Sequence, residues 1–235
     1  MSTSKTTKVH CAYCFDCLMD NYEQYKSHPR VLKGDDLKEM AGAKYPLFVT
    51  WKIRSKSDWR LRGCIGTFSP KDLAKGLKEY ALTRCFVLIR FQEVPELMCD
   101  VSLLTDFELA KHVEDWELGV HGIQIDFVDP NVKNKAYSAT YLPDVPPEQG
   151  DWASLKPPGW SVTQTVDELI AKTGYNKPIT SRLKESIKVT RYQSSKASLT
   201  YQEYVEMRVV IEAGPSISRP LTRSVARKDK KDSKS

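Results

Sequence analysis

Two stretches rich in β-branched and aromatic residues constrain this chain most. YPLFVTWKI (Tyr45–Ile53) is followed, after the polar turn region RSKSDW, by LRGCIGTF (Leu61–Phe68). Such residues suit a pleated, half-buried surface, and two such runs joined by a short polar connection read as a hairpin. The second run is unusual because Gly63 and Gly66 bracket Cys64 within it. Glycine weakens a strand interior and leaves nothing to pack. Gly63, Cys64 and Gly66 are therefore read either as an open floor where a ligand binds, or as a bulge or close-packed site.

The remaining pattern alternates helices and strands. Cys11, Cys14, Leu18, Tyr22 and Tyr25 recur at helical spacing and predict a helix over Val9–Tyr25, closed by His28-Pro29. A short helix over Asp35–Ala41 is expected within a mixed stretch. Ser69 before Pro70 reads as an N-cap, with Leu73, Leu77, Tyr80 and Ala81 forming one helical face. Residues 85 to 98 are irregular. Cys99–Phe107, Gly119–Asp129 and Lys135–Val145 read as strands, and Pro143, Pro146 and Pro147 argue against a helix in the last. DWASLKPPGW (Asp151–Trp160) reads as a surface loop. A helix over Thr165–Lys172 ends at Gly174, Ser186–Gln193 is a strand, and Thr200 caps a last helix to Met207. The order predicts an α+β fold, a mainly antiparallel sheet flanked by helices. Residues 1–8 are expected to be disordered, 9–210 to form the domain, and 215–235 to form a basic disordered tail.

Charge narrows the partners. The chain of 235 residues carries a net charge of +6. Residues 215–235 hold seven Lys/Arg against two Asp, so +5 sits in the tail and +1 remains for residues 1–214. A domain that binds duplex DNA carries its basic footprint on its own surface, so duplex DNA is not expected as a partner. No apolar run approaches the ~20 residues of a membrane span, and the polar start MSTSKTTKVH is no signal peptide. A cytoplasmic or nuclear location with reduced thiols follows as the expectation. The tail stretch ARKDKKDSK reads as a nuclear import signal, a nonspecific nucleic-acid contact or a solvating end.

These motifs carry a family resemblance. LRGCIG resembles the signature of the AMMECR domain family. HCAYCFDCL, YPLFVTWKI, VSLLTDFE, DWELGVHGI, TYLPDVPPEQG, DELIAKTGY, IKVTRYQSSK and TYQEYV are similar, in order, to stretches of its eukaryotic-type members over residues 9 to 208. The resemblance implies an antiparallel sheet flanked by helices, with a smaller subdomain forming a cleft lined by the signature. It implies no assigned reaction and no cofactor. It also implies an association with Memo-type and radical-SAM proteins, which occur beside this domain in many prokaryotes. Two stretches depart from the family pattern. RCFVLIRFQEVPELMC holds Leu88 where relatives carry an aspartate, and DWASLKPPG is inserted before Trp160.

Alternation along the signature puts Leu61, Gly63, Ile65 and Thr67 on one face, and Arg62, Cys64, Gly66 and Phe68 on the other. With Leu61 and Ile65 toward the core, the Arg62 guanidinium would sit beside Cys64 and lower its pKa. Cys64 is then the candidate nucleophile, and the missing side chain of Gly66 leaves room for a ligand. His121 in GVHG is the candidate base, with a hairpin histidine as the plainer role. Asp144, Glu148 and Gln149 in LPDVPPEQG are polar groups on a proline-stiffened segment that can reach the cleft. Arg62, Gly63, Cys64, Gly66, Asp144, Glu148 and Gln149 thus form the candidate ligand-binding set. Cys11, Cys14 and Cys17 recur at helical steps without a second ligand pair, and read as packing rather than as a metal site. Two functions remain: a binding or adaptor module for a protein or RNA partner, and an enzyme or enzyme subunit using thiol chemistry at Cys64.

Overall fold

The computed structural model describes residues 6–22, 31, 32, 40–56, 58–83, 89–129, 132, 135–149 and 159–213. The strands are β1 (Lys44–Ser55), β2 (Asp58–Asp72), β3 (Leu97–Leu109), β4 (Gly122–Val128), β5 (Ala136–Tyr141) and β6 (Lys188–Thr200). They form one sheet in the order β2-β1-β3-β6-β4-β5, and every pairing is antiparallel. The helices are α1 (Lys8–Asp20), α2 (Leu73–Ala81), α3 (Val145–Glu148), α4 (Val162–Lys172), α5 (Ser181–Ser186) and α6 (Tyr201–Ala213), with a 3-10 turn at Phe91–Glu96. Among the described residues no helix is long and apolar enough to cross a membrane.

Strand alternation divides the sheet into two unlike faces. One face carries cross-strand rows such as Ile65, Val49, Val101 and Ala197, or Gly63, Trp51, Cys99 and Leu199. Side chains of α1, α2 and α6 join these rows in the larger core. Phe15 of α1 meets Trp51 edge-on at 4.9 Å and stacks on Tyr204 of α6 at 5.0 Å. A second core joins Ile123, Ile125 and Phe127 of β4 and Val189 of β6 to Val166, Leu169 and Ile170 of α4 and to Leu183 of α5. Val189 and Leu199 share one parity on β6, so both cores lie on the same side.

The opposite face is the inside of a curl. Phe68 of β2 and Tyr192 of β6 meet with ring centroids 5.6 Å apart, although β1 and β3 lie between their strands. Three strand spacings on a flat sheet span roughly 14 Å, so the sheet rolls toward this face. Glycines permit the roll. Gly66 pairs with Phe48 and Gly122 with Tyr192. A Cβ on Gly66 would collide with the Leu47 carbonyl and the Phe48 ring, and one on Gly122 with the Tyr192 ring.

The hairpin of β1 and β2 follows the expectation, but its ends differ. Pairing of Lys44 and Tyr45 with Asp72 and Lys71 keeps Ser69 and Pro70 inside β2. The cap of α2 is therefore Asp72, whose carboxylate accepts the Lys75 N–H at 3.0 Å. Helix α1 stops at Asp20, and residues 23–25 and 35–39 of the expected helices lie outside the described residues. Val145–Glu148 forms a helical turn despite Pro146 and Pro147. The expectation there is corrected, because proline is tolerated in a first turn whose N–H groups have no intrahelical partner. Helix α5, capped by Thr180, was not foreseen, and β6 continues past Gln193 to Thr200. Thr200 caps α6 as expected, in a reciprocal box: its hydroxyl accepts the Glu203 N–H, and Glu203 accepts the Thr200 N–H. Thr6, within the segment expected to be disordered, is instead tied to Ser195 of β6 by two hydrogen bonds of 2.8 and 2.6 Å.

The Gly66 contact is testable. Gly66→Ala is expected to lower unfolding stability by roughly 1–3 kcal/mol through overpacking. An unchanged urea midpoint would remove the close-packing role assigned to this glycine.

Candidate functional site

The inner face is built from rows that cross β2, β1, β3 and β6. The central row is Cys64, Thr50, Asp100 and Ser198. Toward the aromatic end lies Gly66, Phe48, Ser102 and Lys196, and toward the other end Leu61, Lys52, Met98 and Thr200. Phe48 and Phe68 meet at 5.1 Å, and Tyr192 links Phe68 to Phe107. These rings close one end of a groove whose floor is polar.

Asp100 stands at the centre of that floor. Its side chain is 2% exposed, and among the described residues neither carboxylate oxygen has a hydrogen-bond partner. Two ammonium groups lean over it. Lys52 Nζ lies 3.1 Å and Lys196 Nζ 3.5 Å from Asp100 Oδ2. The distances neutralise the charge, but the approach directions do not make hydrogen bonds. Lys196 also pairs with Asp144 Oδ2 at 2.6 Å, across the groove's open side. Burial works against the Lys196 ammonium, but the Asp144 bond and the charges of Asp144, Asp100 and Glu148 outweigh it. Its pKa is held above the usual lysine value, so it stays charged at neutral pH.

Cys64 is exposed at the groove's β2 side and accepts a hydrogen bond from Thr50 Oγ1 at 2.9 Å. The protein packed around the thiol pushes its pKa up, and the nearby carboxylates of Asp144 and Asp100 act in the same direction. The Thr50 bond and the Lys196 charge offset this only in part. The expected guanidinium neighbour is elsewhere. A bulge falls at Arg62, since Trp51 pairs with Gly63 while Lys52 pairs with Leu61. A bulge re-aims the side chains beside it. Leu61 is thereby 62% exposed instead of core-facing, and Arg62 forks onto Glu93 of the 3-10 turn at 3.2 and 3.4 Å. Arg62, Arg90, Gln92 and Glu93 line a separate cavity of about 570 Å³. The room expected at Gly66 is filled by the Phe48 ring, and Gly63 lies in the row of the helix-covered face.

The other expected residues separate. Asp144 reaches the groove, and Glu148 is close enough to act on Lys196 electrostatically. Gln149 ends α3, its N–H donating to the Pro146 carbonyl. His121 is used locally: its Nδ1 accepts the Glu117 N–H at 3.1 Å, and no contact joins it to Cys64 among the described residues. Cys11, Cys14 and Cys99 are buried together in the larger core, and burial pushes the Cys17 thiol up to about 12. Among the described residues no group of three or more His, Cys, Asp or Glu is placed to hold a metal ion. Lys52, Asp100 and Lys196 were missed. The available signal was an aspartate inside the largely apolar first half of β3, but its partners come from strands distant in sequence.

A curled antiparallel sheet with helices on one face and a polar groove on the other defines the class of this protein. The AMMECR1 family pattern matches residues 11–197, and the chain belongs to that family. An uncharacterized protein of Arabidopsis thaliana is 42% identical over 199 residues, covering 82% of this chain and 85% of the relative. An uncharacterized protein of Schizosaccharomyces pombe is 34% identical over 203 residues, covering 84% and 95%. The crystal structure of an uncharacterized protein from Pyrococcus horikoshii shares the fold, with a TM-score of 0.54 at 21% identity over 81% of this chain and 87% of that one.

Cys64 supplies a direct test of the site's electrostatics. Its alkylation rate in the native protein, followed against pH by peptide mass spectrometry, is expected to show a midpoint above the ~8.5 of a free thiol. A midpoint well below that value would restore an activated nucleophile.

Proposed function

We propose that the protein is a binding or adaptor module that receives its partner in the inner groove. The observation that carries this reading is Asp100, a buried carboxylate paired with two partly exposed lysines but without a hydrogen bond among the described residues. Buried polar groups are nearly always satisfied, and a group left unsatisfied calls for an explanation. A partner that re-orders the two lysines above Asp100 supplies one. Thiol chemistry at Cys64 is less well supported, because the thiol is pushed toward its protonated form and His121 is engaged elsewhere. A Memo-type protein is the first partner to test on the family association, with RNA as the alternative.

A photo-crosslinking residue placed at Ser198 reads the groove directly, and one at Val209, exposed on α6, serves as control. Crosslinks to a defined macromolecule from position 198 and not from 209 are the expected result. Equal capture at both positions, or capture at 209 alone, refutes the groove as the binding surface. The product's identity separates protein from RNA.

A further inference from the structure

We propose that the Lys52–Asp100–Lys196 cluster is a receptor for a carboxylate of the incoming partner, and that Asp144 occupies part of it until the partner arrives. The inference rests on the groove being the binding surface. Lys52 and Lys196 come from β1 and β6, on opposite diagonals of Asp100, and converge on one oxygen of its carboxylate. Two ammonium groups repel each other, so a buried anion beneath them is what keeps them together. Asp100 itself is out of reach, because both its oxygens are buried. A ligand cation would have to pass the two lysines to meet it. The ammonium groups are the accessible donors, with side chains 26% and 35% exposed.

The chain's own Asp144 shows what these donors accept. It presents a carboxylate to Lys196 at 2.6 Å, from the connection between β5 and α3, and is itself 40% exposed. Lys52 has no such partner: Asp100 is its only ion-pair partner among the described residues. With Asp144 moved aside, the two lysines and Asp100 total +1, which suits one monoanionic carboxylate. Such a group would take charge-assisted hydrogen bonds from both ammonium groups. Phe48, in the row of Lys196, and the adjoining Phe68 offer an apolar surface for whatever bears the carboxylate. An acidic residue beside an apolar or aromatic one, on a protein partner, fits this combination.

The test titrates the isotope-labelled full chain with phenylacetate, its neutral amide phenylacetamide, and phenyl phosphate, and follows the backbone amide signals of Thr50, Asp100 and Ser198. Phenylacetate is expected to bind at least about tenfold more tightly than phenylacetamide, the step that one good charge-assisted bond contributes. Lys52→Gln and Lys196→Gln are each expected to weaken phenylacetate by about tenfold while leaving phenylacetamide unchanged. Asp144→Asn, an exposed change that leaves the cores intact, is expected to tighten phenylacetate by roughly threefold to tenfold by removing the competitor. Equal binding of acid and amide overturns the carboxylate assignment and leaves the groove reading standing. A preference for phenyl phosphate overturns it in favour of a phosphoryl ligand. Silence of the groove signals toward every probe overturns it as well. If the position-198 crosslinker still captures a partner, the broader reading survives that outcome, and if it does not, both fail.

Discussion

The fold depends on aromatic rings lying against glycine backbone on the inner side of the sheet. Phe48 covers Gly66 and Tyr192 covers Gly122, each across a directly paired register position. Side chains on the inner face of a curled sheet are forced together, and a Cβ at either glycine would collide with the ring opposite. Removing it lets the strand bend, and the ring then covers the exposed backbone. The register irregularity between Thr105 and Glu108, where Asp106 takes a φ of 54°, adds an extra residue to β3 and strengthens the local twist. Once the sheet is rolled, groups far apart in order come into range. Phe68 of β2 reaches Tyr192 of β6, and Lys196 of β6 acts electrostatically on Cys64 of β2.

The helix-packed cores and the polar cluster thereby lie on different faces of the same strands. In β1, Leu47, Val49 and Trp51 are fully buried, while Phe48, Thr50 and Lys52 alternate with them on the groove side. In β3 the same division separates Cys99, Val101 and Leu103 from Asp100 and Ser102. A change at one of the buried positions leaves a cavity worth several kcal/mol. A change on the groove side can alter charge and shape without touching either core. The helices reinforce this division: α1, α2 and α6 cover one part of the outer face, and α4 and α5 the other.

Much of the sheet was legible because period-two alternation is a local property. Tyr45–Ile53, Leu61–Phe68 and Cys99–Phe107 all lie inside observed strands, and the Thr200 cap was readable from one hydroxyl and a glutamate three residues on. What could not be read depends on register between strands. A single bulge at Arg62 reverses which face the preceding residue uses, so Leu61 emerges on the groove side and Arg62 turns away from Cys64. The expected strand stops at Gln193 because SSKAS is poor in β-branched and aromatic residues, yet Ala197 and Leu199 pack on the larger core and Lys196 and Ser198 face the groove. The Asp144–Lys196, Lys52–Asp100 and Asp100–Lys196 contacts join residues 48 to 96 positions apart along the chain, beyond any local pattern.

The central carboxylate also decides between two meanings of a charged cluster in a sheet. A buried ion pair is a weak source of stability, because desolvating each charge costs several kcal/mol and the mutual attraction returns it only with good geometry. Here the geometry is poor by that standard, since Asp100 makes no hydrogen bond through either oxygen among the described residues. Lys52 and Lys196 are long enough to turn into solvent, where they would be hydrated at no such cost. Turning away would leave Asp100 buried and uncompensated, which is costlier still, so the buried anion keeps both in place. Its physical effect is to hold two like charges side by side at the floor of a groove, an arrangement that water alone would disperse.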